Sequence, residues 1–465
     1  MIPLPQFSGG KVAVLGLGRS GLAAARALAA GGAEVRAWDD DPARRAVADR
    51  AGLRLADPAG LDWGTTALLV LSPGIPHRFP APHPAADAAR TAGKEIVCDI
   101  ELLARARPAA RFVGITGTNG KSTTTALIGH ILARAGRKVA VGGNIGTPAL
   151  DLPSLSGDGV YALELSSYQL ELMTTPIYDC AVILNISPDH LDRHGGLAGY
   201  VAAKARLLDL QRTPATLVIG IDDPHCRALR DRARRDGGAR LVPISAVEAA
   251  PGGVYALDGR LIDDIDGTAR PVFDLAEAPA LPGAHNGQNA AAAYAVARGL
   301  EIDPETIAAA LRDFPGLPHR QETVATAEGV AYVNDSKATN LTAAARALAS
   351  YDAVYWIAGG RAKGEDPADL APYFDRIRHA FLIGEAAPDF ARALAGHVPA
   401  THCGDLATAL DRAHGLARKE GRPGAVVLLS PGCASFDQWP DFEARGNAFR
   451  AAVRTLLADA TEARA

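Results

Sequence analysis

The sequence predicts an α/β protein in which buried strands alternate with helices and form mostly parallel sheets. Short apolar runs recur along the chain, and helical stretches of roughly 10–15 residues separate them. This spacing suits crossover helices between parallel strands. The length of 465 residues suits roughly three domains of about 150 residues each.

The composition is that of an ordinary globular protein and does not indicate a nucleic-acid-binding, membrane or disulfide-rich protein. Hydrophobic residues make up 48% of the chain and the net charge is −4, which gives no indication of nucleic-acid or membrane-surface binding. Residues 1–10 lack the basic start and apolar core of a signal peptide, and no apolar run reaches the roughly 18 residues of a spanning helix. The 5 cysteines are scattered without a CxxC pair, which argues against a disulfide framework and a zinc site. We therefore expect a cytoplasmic protein.

The first block of elements ends near residue 99. Strands are predicted at 11–16, 34–38 and 67–71, with a helix at 20–30. The turn at 16–21 reads Gly-Leu-Gly-Arg-Ser-Gly, and an aspartate, Asp39, follows at the end of the second strand. This pattern is typical of dinucleotide binding, because the helix N-terminus after the turn binds a diphosphate. A UDP-linked substrate carries the same diphosphate, so the pattern leaves both ligands open.

The second block begins near residue 100 and contains a phosphate-binding turn. Residues 116–122 read Thr-Gly-Thr-Asn-Gly-Lys-Ser between a predicted strand at 111–115 and a helix. Backbone N–H groups of such a turn surround phosphates, while Lys121 reaches the outer phosphates and Ser122 can bind Mg²⁺. Ile115 stands where the general P-loop pattern has glycine. The strand–turn–helix context nevertheless favours ATP binding over a plain helix cap.

Acidic and imidazole groups follow later strands of this block. Strands are predicted at 160–165, 180–185 and 217–220, with shorter pieces around 254–262. Glu164 ends the first of them, and His190 follows the second. Carboxyl ends of parallel strands meet at one edge of a sheet, where the phosphate turn also lies. Together with Ser122, these side chains could position Mg²⁺ against nucleotide phosphates.

The third block opens near residue 317, after a proline-rich joint at 314–318 that suits a hinge. Its strands are predicted at the following positions: 331–334, 353–358, 379–383 and 425–429.

A family resemblance rests on segments that occur in a consistent order along essentially the whole chain. Together they resemble the Mur ligase family. The segments are 116–122, 143–146, 163–170, 185–193, 285–290, 317–320 and 334–340. Residues 334–340 and 430–438 resemble the branch of that family that adds D-glutamate to UDP-N-acetylmuramoyl-L-alanine.

The resemblance implies three domains. Residues 1–99 would form a Rossmann-like domain that binds the UDP-substrate, and residues 100–316 a central P-loop-type ATPase domain. Residues 317–465 would form a Rossmann-like domain that binds the amino acid. The implied reaction is ATP-dependent amide formation through an acyl phosphate, in cytoplasmic peptidoglycan precursor synthesis. The expected protein is a monomer that binds neither nucleic acid nor membrane.

The resemblance also implies roles for individual residues. Lys121, Glu164, His190 and Lys204 would be catalytic. Two Mg²⁺ ions would be held by Ser122, Glu164, His190 and, once carbamylated by CO₂, Lys204. ATP would contact Gly117, Thr118, Asn119, Gly120, Lys121, Ser122, Thr123, Asn286, Asn289, Arg320 and Asp335.

Two further sets would bind the other substrates. The UDP-substrate set is Leu17, Gly18, Arg19, Ser20, Asp39, Ser72, Pro73, Gly74 and Asn144. The D-glutamate set is Lys337, Thr339, Lys363, Ser435, Phe436 and Phe442. Near Lys363, Arg361 and Ala362 depart from the family pattern.

Three alternatives remain open from sequence. A sister ligase that adds L-alanine, meso-diaminopimelate or L-lysine would share the ATP site, although the Asp-Asn-Pro-Arg motif of the diaminopimelate branch is absent. Folylpolyglutamate synthase shares the ATP core but lacks a separate N-terminal nucleotide-sugar domain. An NAD-binding dehydrogenase or a non-catalytic NAD sensor would use residues 16–21, and would leave the phosphate turn without purpose.

Overall fold

The computed structural model describes residues 1–462. They form two compact units, one of Met1–Glu277 with His285–Asp313 and one of Ala278–Ala284 with the residues from Phe314 onward. Within these described residues, the first unit contains an N-terminal sheet and a central sheet, and the second contains a C-terminal sheet. The three-domain division at residues 99 and 316 stays a prediction.

The N-terminal sheet is parallel and has the strand order β2-β1-β3-β4. Its strands are β1 (Lys11–Leu15), β2 (Glu34–Trp38), β3 (Thr66–Leu71) and β4 (Glu95–Val97). Its helices are α1 (Arg19–Ala30), α2 (Pro42–Arg50), α3 (Pro84–Thr91) and α4 (Asp99–Ala106).

The central sheet has the order β13-β12-β11-β10-β9-β8-β5-β7-β6. Its strands are β5 (Arg111–Thr116), β6 (Val139–Gly143), β7 (Val160–Glu164), β8 (Tyr178–Ile183), β9 (Gln211–Gly220), β10 (Ala239–Ser245), β11 (Val254–Leu257), β12 (Arg260–Asp263) and β13 (Arg270–Asp274). The helices are α5 (Lys121–Arg134), α6 (Ser167–Glu171), α7 (Leu191–His194), α8 (Leu197–Asp209), α9 (Pro224–Asp236), α10 (His285–Gly299) and α11 (Pro304–Arg312). Since β5 lies between β7 and β8, the ends of these parallel strands meet at one edge.

The C-terminal sheet has the order β14-β15-β19-β16-β17-β18. Its strands are β14 (Glu322–Ala327), β15 (Val330–Asn334), β16 (Ala353–Gly359), β17 (Ile377–Ile383), β18 (Ala400–Gly404) and β19 (Ala425–Leu429). The helices are α12 (Leu341–Ala349), α13 (Ala387–Leu394), α14 (Leu406–Glu420) and α15 (Phe442–Glu462).

The prediction of mostly parallel sheets is confirmed, and the departures from it lie at sheet edges. β11, β12 and β13 pair antiparallel at one end of the central sheet, and β14 pairs antiparallel with β15. β4, β6, β10, β13, β14 and β18 are not among the predicted strands. Five of these strands lie at sheet edges, where partial covering removes the need for a continuous apolar run, whereas β10 lies inside the central sheet between β9 and β11.

Helix α10 packs against α5 and against strands of the central sheet, and it is buried along most of its length. Residues 286–297 are all buried, and the alanines at 290–293 are fully inaccessible. Small side chains allow this helix to approach α5, β9 and β10 closely. Across residues 1–462, no helix combines the length and apolar character that crossing a membrane requires.

Candidate active site

The phosphate-binding turn connects β5 to α5. Gly117 and Gly120 have φ values of +154° and +82°, a region that L-residues with side chains rarely adopt. A Cβ atom on Gly120 would lie 2.2 Å from Asn289 Oδ1. The turn can therefore close over α5 only with glycine at this position, which leaves the helix N-terminus ready for an anion.

Lys121 and Asn185 hold this turn in shape. Lys121 Nζ donates to the carbonyls of Gly117 and Thr118, at 3.0 and 2.9 Å. Asn185 lies just after β8, where its Oδ1 accepts from the Asn119 N–H at 2.9 Å and its Nδ2 donates to the Asn119 carbonyl at 3.2 Å. No role was predicted for Asn185. Its sequence signal, a lone asparagine after a buried strand, is shared by many turns.

Ser122 and Glu164 meet at the carboxyl edge of the central sheet, as the strand ends predict, and Asn144, which the resemblance assigns to the UDP-substrate set, lies beside them. Glu164 is 3% exposed. Its two carboxylate oxygens accept from Ser122 Oγ and Asn144 Nδ2, each at 2.7 Å. A carboxylate and a hydroxyl that converge beside a phosphate turn are hard oxygen donors of the kind that Mg²⁺ prefers. The described residues thus fit this ion.

Lys204 lies on α8 under the same turn. It is 1% exposed, and its Nζ donates to the Gly117 carbonyl at 2.8 Å and lies 4.6 Å from the ring centroid of Tyr200. Burial lowers the pKa of the Lys204 ammonium well below its usual value, and the charge of Lys121 lowers it further. Burial therefore favours the uncharged amine over the ammonium.

His190 lies in the loop after β8 and opens helix α7. Its φ is +50°, and its ring centroid lies 5.3 Å from that of Tyr168. Burial lowers the pKa of His190, Asp189 opposes this, and the charges of Lys121 and Lys204 act in the same direction as burial. His190 thus belongs to the same electrostatic environment as the two lysines.

The turn after β1 is held by side chains that follow β2 and β3. Asp39 Oδ2 accepts from the Leu17 N–H at 2.6 Å, and Ser72 Oγ donates to the Gly16 carbonyl at 2.9 Å. Apart from Asn144, which follows β6 in the central sheet, the remaining predicted UDP contacts lie beside these groups: Gly18 caps α1, Arg19 and Ser20 begin it, and Pro73 and Gly74 follow β3. The sheet therefore gathers these residues at one edge, and their contacts with UDP stay predictions.

Asn286 and Asn289 lie on α10 behind the phosphate turn. Both are buried, and Asn289 Nδ2 donates to Asn286 Oδ1 at 2.8 Å. Thr124 Oγ1 donates to Asn289 Oδ1 at 3.2 Å, and Thr123 precedes it in the first turn of α5. Asn289 thus supports the turn, and contact of either asparagine with adenine stays a prediction.

Asp335 follows β15 in the second unit. Its carboxylate accepts from Ser430 Oγ at 2.8 Å and from the Gln321 N–H at 3.2 Å. Burial raises the pKa of Asp335 to about 7, although the charge of Arg320 opposes this. The predicted ATP contacts of Asp335 and Arg320 stay predictions.

The residues predicted to surround D-glutamate form two close pairs in the second unit. Lys337 Nζ lies 3.9 Å from the ring centroid of Phe442, and Lys363 Nζ lies 3.4 Å from Thr339 Oγ1. Lys363 also lines a small cavity with Glu365 and Cys433. The other two differ in exposure, since Ser435 is buried and Phe436 is 63% exposed.

Two family models match the chain. The model of the Mur ligase middle domain matches residues 115–297, and that of the Mur ligase, glutamate ligase domain matches residues 319–433.

Full-length relatives and solved structures are also similar to the chain. The UDP-N-acetylmuramoylalanine--D-glutamate ligase of Paramagnetospirillum magneticum is 53% identical over 98% of this chain and 99% of its own length. The ligase of the same name from Phenylobacterium zucineum is 54% identical over 98% of each chain. UDP-N-acetylmuramate-alanine ligase MurC from Thermotoga maritima has a TM-score of 0.59 at 16% identity, covering 96% of this chain and 99% of its own, which shows the same fold. The matches cover both units and nearly the whole length, and the chain belongs to the Mur ligase family.

Proposed function

We infer that the chain is an ATP-dependent ligase that adds D-glutamate to UDP-N-acetylmuramoyl-L-alanine, a step in peptidoglycan precursor synthesis. The observation that carries this function is the 53% identity over 98% of the chain to a ligase of that name. The match of residues 319–433 to a glutamate ligase domain supports the identity of the amino acid.

The reaction proceeds in two transfers. An oxygen of the L-alanyl carboxylate attacks the γ-phosphorus of ATP, and the bond from that phosphorus to the bridging oxygen breaks. ADP departs, and the substrate becomes an acyl phosphate. The amine of D-glutamate then attacks the acyl carbon, loses a proton and expels phosphate. Catalysis of phosphoryl transfer rests mainly on positioning and charge stabilisation. In this proposal the glycine turn would supply these at the phosphates together with Lys121, whose Nζ bonds to the Gly117 and Thr118 carbonyls of that turn.

Two Mg²⁺ ions accompany the nucleotide in this proposal. Ser122 and Glu164 would hold one of them, since their oxygens already converge, and His190 and Lys204 would take part at the other. Bound Mg²⁺ would neutralise phosphate charge. Lys204 would contribute an oxygen ligand as a carbamate, which forms from CO₂ and the uncharged amine; its burial and lowered pKa support this role.

Lys337 and Lys363 would bind the carboxylates of D-glutamate. Each lysine lies against a residue of the same predicted pocket, Phe442 or Thr339. Two ammonium groups suit a dicarboxylic amino acid. ATP and UDP-linked precursors are cytoplasmic, so we place the reaction in the cytoplasm. We also propose that the enzyme acts as a monomer.

Phosphate release tests the proposal. The enzyme receives ATP, Mg²⁺ and UDP-N-acetylmuramoyl-L-alanine, with D-glutamate, L-glutamate, meso-diaminopimelate or L-lysine in separate reactions. Turnover with D-glutamate alone, and a product heavier by one glutamyl residue, is the expected result. Turnover with another amino acid would refute the assignment of the C-terminal pocket, and no turnover by folded protein would refute ligase activity.

A further inference from the structure

Arg193 connects the predicted UDP-substrate turn to the loop that carries His190. It lies on α7, and its Nη1 donates to the Gly74 carbonyl at 2.8 Å. The guanidinium carbon also lies 4.6 Å from the ring centroid of Tyr168. One side chain thus bonds to the turn after β3 and stacks on a residue that follows β7.

The ring on which Arg193 lies also stacks with His194. Tyr168 and His194 stack with centroids 5.2 Å apart and planes 9° from parallel. The side chain of His194 is fully buried, and its two ring nitrogens lie 2.9 Å from Ser167 Oγ and 3.1 Å from Glu171 Oε1. Arg193 therefore rests on a stack whose orientation is set by hydrogen bonds.

A second contact joins the same two loops. Gly195 has a φ of +68°, and a Cβ atom placed on it would lie 3.0 to 3.2 Å from three ring atoms of Phe79. The Phe79 ring thus covers the backbone of the His190 loop next to Arg193. The two loops are in contact at two neighbouring points.

We propose that Arg193 is a positioning residue that fixes the UDP-substrate turn relative to the phosphate edge of the central sheet. This role rests on the proposed function, in which the substrate must reach from the turn at Gly74 to the γ-phosphate near Lys121. A displacement of about 1 Å between reacting groups can lower a rate about 100-fold. Lysine would keep the charge but lose the planar group that stacks on Tyr168 and donates at the same time.

The substitution Arg193→Lys tests the role, and Arg212→Lys is its matched control. Arg212 donates to the carbonyls of Ala110 and Pro108, at 3.0 and 2.6 Å, and lies over the Phe112 ring at 5.9 Å. It makes the same kinds of contact at the opposite end of β5. We expect Arg193→Lys to lower kcat by about 10- to 100-fold with the KM for D-glutamate unchanged, while Arg212→Lys retains kcat.

A binding measurement separates positioning from loss of structure. Calorimetry gives the affinity for UDP-N-acetylmuramoyl-L-alanine with and without a non-hydrolysable ATP analogue and Mg²⁺. We expect the analogue to raise the affinity several-fold in the wild type and in Arg212→Lys, and to leave it unchanged in Arg193→Lys. The affinity for UDP alone should be equal in all three proteins.

Two results would overturn the role of Arg193. One is a wild-type enzyme in which the analogue does not change the affinity, and the other is an Arg193→Lys variant that keeps both kcat and the affinity ratio. Failure of the proposed function would look different, because the wild type would then form no amide with D-glutamate under any condition.

Discussion

Burial changes the chemistry of the Lys204 side chain, because it favours the uncharged amine. Its sequence context, an alanine-rich helix, is equally typical of a solvated surface lysine. In the structure the amine is buried and bonded to the Gly117 carbonyl, and burial lowers its pKa. The uncharged form reacts with CO₂, whereas the ammonium does not.

Carbamate formation at Lys204 should be visible by NMR. Protein equilibrated with ¹³C-bicarbonate should show a carbamate carbon signal that Lys204→Arg lacks. The signal should grow as pH rises through the lowered pKa of Lys204, since the amine then loses its proton. Identical spectra of the two proteins would contradict the prediction, and the α-amino group, common to both, provides the internal control.

Asp335 should make the stability of the second unit depend on pH. Its pKa is raised to about 7 in the folded state, so the folded state binds the proton more tightly than the unfolded chain does. The contribution of Asp335 to stability is therefore greatest below the unfolded pKa near 3.9 and is lost as pH rises through about 7, by about 4 kcal/mol in total. Asp335→Asn should remove this slope.

Urea unfolding at several pH values between about 4 and 8 measures this slope. The exposed Asp405, which caps α14 in the same unit, provides the matched control Asp405→Asn. Because asparagine caps a helix about as well as aspartate does, that variant should keep both the stability and the slope. An equal slope in wild type and Asp335→Asn would contradict the assigned pKa.

Single residues were predictable where a motif and a strand end coincide. Glu164 and Ser122 were predicted together because both follow parallel strands of one sheet, and the structure joins them at 2.7 Å. Asn185 and Arg193 were present in a recognised segment, but their partners are backbone carbonyls or N–H groups of distant loops. No side-chain pattern records such partners, so their contacts required the structure.

At the scale of elements, the two ends of α5 offer a matched pair of glycines. Gly120 has a φ of +82° at the N-terminus, where a Cβ would meet Asn289, and Gly136 has a φ of +71° beyond the C-terminus, with open space around it. Gly136→Ala carries only backbone strain, on the order of 1 kcal/mol. Gly120→Ala carries that strain and the clash, so we expect a larger loss.

Urea unfolding and titration with an ATP analogue distinguish the two variants. Gly120→Ala should lose about 1–3 kcal/mol or more and should bind the analogue weakly, because the turn can no longer close on phosphates. Gly136→Ala should bind the analogue like the wild type. Equal effects of the two substitutions on nucleotide binding would refute the fit of the turn around Gly120.

Most strands with buried apolar runs were predicted, whereas the interior strand β10 and five edge strands were missed. The strand predicted at 425–429 is β19, whose five residues are all buried. β18 alternates between partly buried and exposed residues and carries Thr401, His402 and Cys403, so its sequence resembles a loop. Pairing with β17 makes it a strand, and pairing partners are distant in sequence.

At the scale of the whole molecule, the two units should respond separately to the UDP-substrate. A ligand at 100 times its Kd stabilises the structure that binds it by about 2.7 kcal/mol. Without ATP or D-glutamate, UDP-N-acetylmuramoyl-L-alanine should slow amide exchange in β1 and α1 and leave β16 unchanged. Hydrogen exchange measured by mass spectrometry tests this, and equal protection of both sheets would contradict it.

Fold class followed from sequence at this scale, but strand order did not. Alternating strands and helices predict parallel pairing for any order of strands. The position of β5 between β7 and β8, which brings the phosphate turn beside Glu164, depends on which crossovers pack best over the whole sheet. Packing of that kind has no local signature.

The burial of α10 bears on how this enzyme could escape an inhibitor. A compound that rests against the end of α10 near Asn286 and Asn289 would contact a helix whose residues 290–293 are inaccessible to solvent. Larger side chains at these positions could displace the helix end from the compound, but they would overpack the core at a cost of about 1–3 kcal/mol. Resistance gained in this way would therefore destabilise the enzyme. Resistance mutations should instead arise in exposed loops. A compound that contacts only the end of the helix does not touch those loops, so few viable resistance mutations would remain.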